Sequence, residues 1–228
     1  MRARMVVCAG LFLASAGAVA ATQDRNVPAF DSVHIAAGIH ATVELGPQRP
    51  VHLEADSKVL DLIETRVEEG TLHVGFKPNT NFWNRHEVTV SIQTPELRAV
   101  GGSGGSIVRA TFTRSDKSEI HASGGSEMHV RGVDAGELEV HGSGGSILEV
   151  NGRADLLDLQ MSGGTHFKGR DFTARDVAVE GSGGSEAELR ASGKIRGGLS
   201  GGSELHVKGG ARSRVATSGG SQVHQIDD

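Results

Sequence analysis

Two stretches of the sequence match the pattern of a nucleophilic serine. Residues 101–105 and 198–202 both read Gly-x-Ser-x-Gly, the motif that places a catalytic serine at a strand-to-helix turn in α/β hydrolases. No helical pattern follows either match, and the same serine recurs seven times along the chain. We therefore interpret both matches as parts of a structural repeat, and we assign no catalytic residue.

Histidine pairs suggest a second chemistry, metal binding. His121 and His141 fall at equivalent positions of neighbouring repeats, as do His206 and His224. If the repeats stack about 4.8 Å apart, each pair could share one divalent ion. Neither a carboxylate nor a cysteine spacing completes such a site, so the sequence favours a solvated polar face and predicts no metal and no cofactor. A metal-binding envelope protein stays as an alternative.

Acidic residues give a third hypothesis, the cleavage of acidic polysaccharides. Glu127, Glu186 and Glu204 share one column of the repeat. Catalysis would need two or three carboxylates, or basic groups, converging on one face. The neighbours expected around the last two are Ile147, His166 and Gln222, which do not make a crowded cleft. A polysaccharide-active enzyme is therefore the less favoured reading.

Composition limits the class of protein. The 228 residues include 33 Gly, 7 Phe, 1 Trp and no Tyr, so any core must consist of Val, Ile, Leu and Ala. With 37% hydrophobic and 22% charged residues, the chain is neither a multispanning membrane protein nor a highly charged disordered one.

The first twenty residues predict a cleaved secretory signal. Arg2 and Arg4 precede an apolar run over residues 5–20 that ends in small residues, and this run is shorter than the ~20 residues of a spanning helix. Cleavage before Ala21 would remove Cys8 and leave no thiol. It would also make the net charge of −5 more negative, and with no basic cluster we expect no nucleic-acid partner and no membrane-spanning segment.

A repeat of 18–20 residues organises the rest of the chain. Ser-Gly-Gly-Ser, with Thr once in its last place, begins at Ser103, Ser123, Ser143, Ser162, Ser182, Ser200 and Ser218. Apolar and polar residues alternate on both sides of every copy, which is the period of a strand. Repeats this short, with no helical period, predict an all-β fold, a parallel β-solenoid in which each repeat is one coil.

The glycine pair of each repeat allows two interpretations. In the structural one, Gly104 and Gly105 permit a bend with positive φ, and the last hydroxyl of each copy joins a ladder between coils. Those hydroxyls belong to Ser106, Ser126, Ser146, Thr165, Ser185, Ser203 and Ser221. In the functional one, the Gly-Ser strip is a flat binding track for a sugar chain or a peptide. Repetition in every coil favours the structural interpretation.

The N-terminal part differs from the repeats. We expect residues 1–20 to be the signal peptide, 21–95 a β segment that caps the solenoid, and 96–228 the repeat solenoid itself. Predicted strands cover residues 31–35, 39–45, 51–54, 71–76 and 87–93. A short helical turn is expected over residues 57–63, with Ser57 as its cap and Asp61 in its first turn. Trp83 is interpreted as a ring over an exposed edge, or less readily as a sugar-stacking platform.

The chain resembles the head GIN domain family, described as putative autotransporter adhesins. The resemblance extends over about residues 26–223 and is carried by Phe30-Asp31-Ser32-Val33, residues 38–46, 54–56 and 67–72, Thr94-Pro95-Glu96-Leu97 and the serial turns. It implies a right-handed β-helix, export to the periplasm or cell surface, and no enzymatic activity. Members commonly carry Ser-Gly-Ser-Gly-Asp where this chain has Ser-Gly-Gly-Ser.

Together these features predict an exported non-enzymatic protein of the cell envelope, an adhesin or scaffold. It would bind an envelope polysaccharide or protein through many weak contacts along a rigid rod.

Overall fold

A computed structural model describes residues 20–78, 80 and 87–226. Nearly all of the predicted signal peptide, with Cys8, and also Trp83 lie outside these described residues. The chain is 66% strand and 2% helix and forms a β-solenoid of about 6 turns behind an irregular N-terminal β region, which confirms the predicted fold class. Within the described ranges, no helix is both long enough and apolar enough to cross a membrane.

Each coil has one strand that leads into a Ser-Gly-Gly-Ser turn and one that leaves it. We call the first kind entry strands. They are β8 (Ala99–Gly102), β10 (Ser115–Ala122), β15 (Lys194–Leu199), β17 (Arg212–Thr217) and the second halves of β11 (Glu127–Gly142), β12 (Ile147–Met161) and β13 (His166–Gly181). The exit strands are β9 (Ile107–Thr111), the first halves of β11 to β13, β14 (Glu186–Ala191), β16 (Glu204–Lys208) and β18 (Gln222–Ile226).

Strands of neighbouring coils pair in parallel and nearly in register. Ile120 pairs with Val140, Val140 with Leu159, and Leu159 with Val179. All four side chains are buried, so like residues stack on like. Each fully buried aliphatic side chain contributes roughly 1.5–3 kcal/mol, and this stacking is the main source of stability in a protein whose coils bury little alone.

Small residues near the turns admit large ones from the facing strand. A Cβ on Gly102 would lie 2.5 Å from Met128 Sδ, and one on Gly142 would lie 3.1 Å from Leu148 Cδ1. Glycine on the entry strands therefore makes room for a bulky exit-strand side chain. The expectation of a core made of Val, Ile, Leu and Ala alone was wrong, because Phe167 and Phe172 are fully buried and meet edge to face with ring centroids 6.2 Å apart.

The N-terminal region contributes rungs out of chain order. Strands β2 (Ser32–Ile35) and β3 (His40–Leu45) pair in parallel with β8 and β9 on one side. On their other side they pair in parallel with β6 (Thr71–Phe76) and β7 (Thr89–Thr94). The β2/β3 rung thus lies between two rungs that follow it in sequence. The division into a cap over 21–95 and a solenoid over 96–228 as separate units stays a prediction.

Antiparallel strands cover the outer rung at this end. Strand β4 (Val51–Asp56) pairs with β7, β1 (Ala20–Arg25) pairs with β4, and β5 (Ile63–Glu68) pairs with β6. The sequence did not predict β1 or β5, because their residues alternate weakly between apolar and polar. Arg25 ties these elements together, since its guanidinium donates to the carbonyl oxygens of Leu60 and Ile63 at 2.7 and 2.8 Å.

The predicted helical turn is real but shorter, and its cap was assigned wrongly. The helix α1 covers Ser57–Leu60, and Asp56, not Ser57, is the N-cap. The Asp56 carboxylate accepts a hydrogen bond from Lys58 N at 3.0 Å, whereas Asp61 is the C-cap and not a first-turn residue. A carboxylate is a good N-cap, because it accepts from a first-turn amide and its negative charge interacts favourably with the helix N-terminus.

Candidate functional site

The Ser-Gly-Gly-Ser turns have one geometry throughout the solenoid. Both glycines have positive φ in every copy, for example 65° at Gly144 and 75° at Gly145. In the turn that begins at Ser123, Ser126 N donates a hydrogen bond to Ser123 O at 3.2 Å across the turn. Two positive φ values inside a four-residue hydrogen-bonded turn define a type I′ turn, which glycine adopts without strain.

The two glycines of each turn are required for different reasons. A Cβ on Gly144 would lie 3.1 Å from Gly124 N of the preceding coil, whereas a Cβ on Gly145 would meet nothing within 4 Å. The first glycine therefore permits close stacking of successive turns, and the second is needed only for its φ. Ala37, with φ 61°, occupies the first-glycine position of the β2/β3 rung, at the end of the row of turns.

The last hydroxyl of each turn faces the interior. Ser106, Ser126 and Ser146 are buried and donate to a carbonyl of the neighbouring coil at 3.2, 3.0 and 3.3 Å. Further along, Thr165, Ser185 and Ser203 donate instead to the first serine of their own turn, at 2.7–2.8 Å. The hydroxyl oxygen of Ser221 accepts a hydrogen bond from Ser203 N at 3.1 Å. This row is thus occupied by internal hydrogen bonds and does not face a ligand.

The first serine of every turn from Ser123 onward, in contrast, lines an open groove. The groove has a volume of about 740 Å³ and touches every rung from β2 to β17. One side is formed by Ser123, Ser143, Ser162, Ser182, Ser200 and Ser218. The other is formed by the outward residues of the entry strands, His34, His121, His141, Gln160, Glu180, Gly198 and Ala216. Eight stacked rungs give it a length of about 34 Å.

Histidines occupy one end of this groove. His73 pairs with His34, His34 with Gly101, Gly101 with His121, and His121 with His141 in successive rungs. The His121 and His141 rings are stacked, with centroids 5.0 Å apart and planes 3° apart. The stacking expected from the repeat is therefore observed, and the column has four histidines where the sequence indicated two.

The sequence did not predict that His34 and His73 belong to this column, because their rungs lack the Ser-Gly-Gly-Ser motif. The signal was present, since His34 lies two residues before Ala36-Ala37-Gly38 as His121 lies two residues before its turn. Burial lowers the pKa of His34, and the nearby His73 and His121 lower it further. The His34 ring is therefore less readily protonated than a free imidazole.

A second polar surface lies on the exit strands. His129 contacts Glu127 and Glu149 at 2.8 and 3.0 Å, and His166 contacts Glu186 at 3.2 Å. We call the outward-facing side chains of the exit strands the exit-strand face. This face includes Glu127, His129, Glu149, His166, Glu186, Glu204, His206 and His224. Imidazole nitrogens and carboxylate oxygens of stacked rungs face each other here.

One expectation about this face was wrong. The sequence suggested that no carboxylate completes a site at the histidine pairs, but Glu204, His206 and His224 have donor atoms that all lie within 4.8 Å of one another. Glu204 precedes His206 by two residues, so both side chains point outward from the same strand. The acidic column is also tighter than expected, since Glu186 and Glu204 are direct neighbours in register.

The serines of the hydrolase-like motifs do not form a nucleophile elbow. Ser103 and Ser200 each open a type I′ turn that leads into a strand, β9 or β16. The motif needs a strand-to-helix turn that projects the serine above a sheet, and this fold provides a strand-to-strand turn instead.

Comparison with solved structures gives the same architecture. A putative adhesin from Bacteroides fragilis superimposes with a TM-score of 0.83 at 15% identity, over 92% of this chain and 98% of that one. A Parabacteroides distasonis protein described as a putative lipid binding protein gives 0.71 at 17% identity, over 91% and 96% of the two chains. A putative adhesin from Parabacteroides merdae gives 0.65 at 15% identity, over 91% and 96%. At these identities the likeness concerns the fold alone.

Sequence comparison identifies the family. No functionally curated protein matches this chain. A family model described as "Putative auto-transporter adhesin, head GIN domain" matches residues 29–211, which include the N-terminal rungs, β4 and β5 of the cap, and all but the last of the seven repeated turns. The chain therefore belongs to the head GIN domain family.

Proposed function

We propose that the protein is an exported, non-enzymatic adhesin or scaffold of the cell envelope that holds an extended polysaccharide in the groove along its turns. The observation that carries this proposal is the continuity of the groove, which touches every rung from β2 to β17. A groove of this form suits a long ligand that repeats, because six successive rungs each offer a serine at the same position.

The lining of the groove favours a hydroxylated ligand. Serine hydroxyls recur on successive coils together with His121, His141, Gln160 and Glu180, and all of these side chains donate or accept hydrogen bonds. The spacing of about 4.8 Å between coils is close to the length of one sugar ring. An acyl chain, as the description of the P. distasonis relative would suggest, fits this polar lining less well.

A peptide fits less well for a different reason. Extended peptides usually bind by adding a strand to a free sheet edge. The groove crosses strands whose backbone groups already pair with the coils above and below. A ligand there must be held by side chains, through many weak contacts whose combined affinity comes from multivalency.

The groove also supports a role without catalysis. Among the described residues that line it, Glu180 is the single carboxylate, whereas glycoside hydrolysis requires a pair of acidic groups with separate roles. Export is supported by the N-terminal sequence, with its charged start, short apolar run and small residues before Ala21, and by membership of an adhesin family.

The test is a groove-blocking substitution with a matched control. Ser162→Trp places a large ring across the middle of the groove, and Thr173→Trp places the same ring on an exposed site of β13 outside it. We expect the purified protein to bind polysaccharides from bacterial envelope fractions in a glycan-binding assay, and Ser162→Trp to weaken that binding at least tenfold while Thr173→Trp does not. Equal effects of the two variants, or turnover of the bound glycan, would contradict the proposal.

A further inference from the structure

Glu204, His206 and His224 lie together on the exit-strand face of the last two rungs, outside the groove. Glu204 and His206 are two residues apart on β16, and His206 is in register with His224 on β18. The two rings are nearly parallel, with centroids 4.8 Å apart and planes 12° apart. Glu204 Oε2 is 3.3 Å from His206 Nε2, so the carboxylate already faces the imidazole nitrogen.

We propose that these three residues bind a divalent transition-metal ion, with Zn²⁺ as the best fit. Two imidazole nitrogens and one carboxylate oxygen are a donor set that Zn²⁺ takes readily, with a fourth position left for water. The donor atoms all lie within 4.8 Å of one another. Metal–ligand bonds of about 2.0–2.1 Å require only that the side chains rotate inward, and His224 is exposed and has room to do so.

A second carboxylate lies beside the cluster. Glu186, in register with Glu204 on the neighbouring coil, places a second carboxylate 3.9 Å from His206 Nε2. Arg170, Arg190 and Lys208 also lie near His206, and Arg170 is already paired with Glu188. Glu204 and Glu186 are the carboxylates that contact His206, and a divalent ion held there would neutralise them. Glu186 can also orient the His206 ring from outside the coordination sphere, as carboxylates commonly do for metal-bound histidines.

The His121–His141 pair provides an internal comparison. Its rings are stacked in the same way, and Glu119 Oε2 lies 3.5 Å from His121 Nε2. There, however, Lys117 Nζ lies 3.2 Å from Glu119 and 2.9 Å from Glu139, so an ammonium group already neutralises the carboxylates. Glu204, in contrast, pairs with His206, a group that is neutral when it binds metal. We therefore expect the His206–His224 stack to bind a metal ion and the His121–His141 stack not to bind one.

A bound ion would link β16 to β18, the last two exit strands. Because the metal binds only when both strands are in place, it should stabilise the final rung by mass action. The expected consequence is slower hydrogen exchange of the amides in β18 at saturating Zn²⁺.

Titration of the purified protein with Zn²⁺ in a calorimeter tests the site. We expect one ion per chain with micromolar affinity, and binding at least tenfold weaker in each of His206→Ala, His224→Ala and Glu204→Gln. The double variant His121→Ala/His141→Ala is the matched control and should bind as the wild type does.

Three outcomes would overturn the site. They are no Zn²⁺ binding at submillimolar concentration, loss of binding in the His121/His141 control, and unchanged binding in the His206 and His224 variants. Circular dichroism of each variant shows whether the solenoid is still folded. Exchange in β18 that does not slow with Zn²⁺, while the ion binds, would place it elsewhere on the chain. Glycan binding in the groove is measured separately, so failure of the metal site leaves the proposed function unaffected.

Discussion

The two ends of the solenoid differ in whether other strands cover the outermost rung. At the N-terminal end, β4 and β5 pair antiparallel with the outermost rung and β1 adds a further strand. At the other end, β17 and β18 pair with β15 and β16 on one side, and their residues are mostly exposed. One end is thus a small folded cap, and the other presents strands whose outer side has no partner among the residues that the structure describes.

This contrast shows where the stability of the molecule is concentrated. In a solenoid each rung contacts only its neighbours, so a rung with two neighbours is held about twice as well as one with a single neighbour. A cap that reverses strand direction ends the parallel repeat and prevents further pairing at that edge. Four predictions, in order of decreasing effect, test how stability is distributed between the ends and the stacked turns.

The largest expected effect comes from emptying a core position in the cap. Leu53 in β4 is fully buried, whereas Ile226 in β18, with a side chain of the same size, is 60% exposed. Leu53→Ala should lower the free energy of unfolding by about 3 kcal/mol, because it leaves a cavity between the cap and the outer rung. Ile226→Ala should lower it by less than about 0.5 kcal/mol. Urea unfolding of both variants measures the difference, and equal losses would contradict the contrast.

Substitution of the turn glycines by alanine should lower stability by a smaller amount that depends on which of the two glycines is replaced. Gly144→Ala should cost about 2 kcal/mol, because its Cβ both adopts positive φ and crowds the preceding turn, whereas Gly145→Ala should cost about 1 kcal/mol for φ alone. The difference between the two losses in the free energy of unfolding measures the cost of crowding one turn against the preceding one.

The N-terminal turn offers the reverse substitution. Ala37 has positive φ but lies at the end of the row of turns, so its Cβ need not fit against another Ser-Gly-Gly-Ser turn. Ala37→Gly should therefore stabilise the protein by about 0.5 kcal/mol through relief of strain. A destabilised Ala37→Gly variant would indicate that the methyl group makes a favourable contact there.

The smallest effect should be a pH dependence at the capped end. Because burial, with help from His73 and His121, lowers the pKa of His34 in the folded protein, the unfolded chain takes up a proton first as the pH falls. Stability should therefore decline as the pH drops below about 6.5, and the loss is complete once the pH passes below the folded-state pKa. His34→Gln should flatten this decline in urea unfolding measured between pH 7.5 and about pH 5.

The control for this variant is His224→Gln at the open end, which also removes one histidine. His73→Gln sharpens the test, because loss of a neighbouring positive charge should move the pKa of His34 upward in an NMR titration. A decline in stability that is as steep in His34→Gln as in the wild type would contradict the assignment.

Features that depend on contacts between adjacent coils could be predicted from the sequence, whereas features that depend on pairing between distant segments could not. The alternation around Ile120 and Val140 and the spacing of the turns depend on neighbours one coil away, so the strands, the inward columns and the stacked pairs at His121–His141 and His206–His224 could be read directly. Strands β1 and β5 could not, because weakly alternating residues become strands only through their pairing with β4 and β6.

The candidate sites were predictable to different degrees. The serines of the groove follow from the repeat, but the addition of His34 and His73 to the column required the out-of-order rungs. The difference between the two histidine stacks required coordinates as well, because it depends on which side chain reaches a carboxylate. Lys117 reaches Glu119 and Glu139, whereas Glu204 faces His206.

The sequence by itself determined that the chain winds into stacked parallel coils with glycine turns in register, because a period of 18–20 residues with strand alternation can bury its apolar side only by stacking on its own copies. Only the tertiary structure decided that the β2/β3 rung enters between two later rungs, that an antiparallel cap covers one end, and where polar side chains meet. Those features arise from contacts between segments far apart in the chain, and no local pattern of residues encodes such distances.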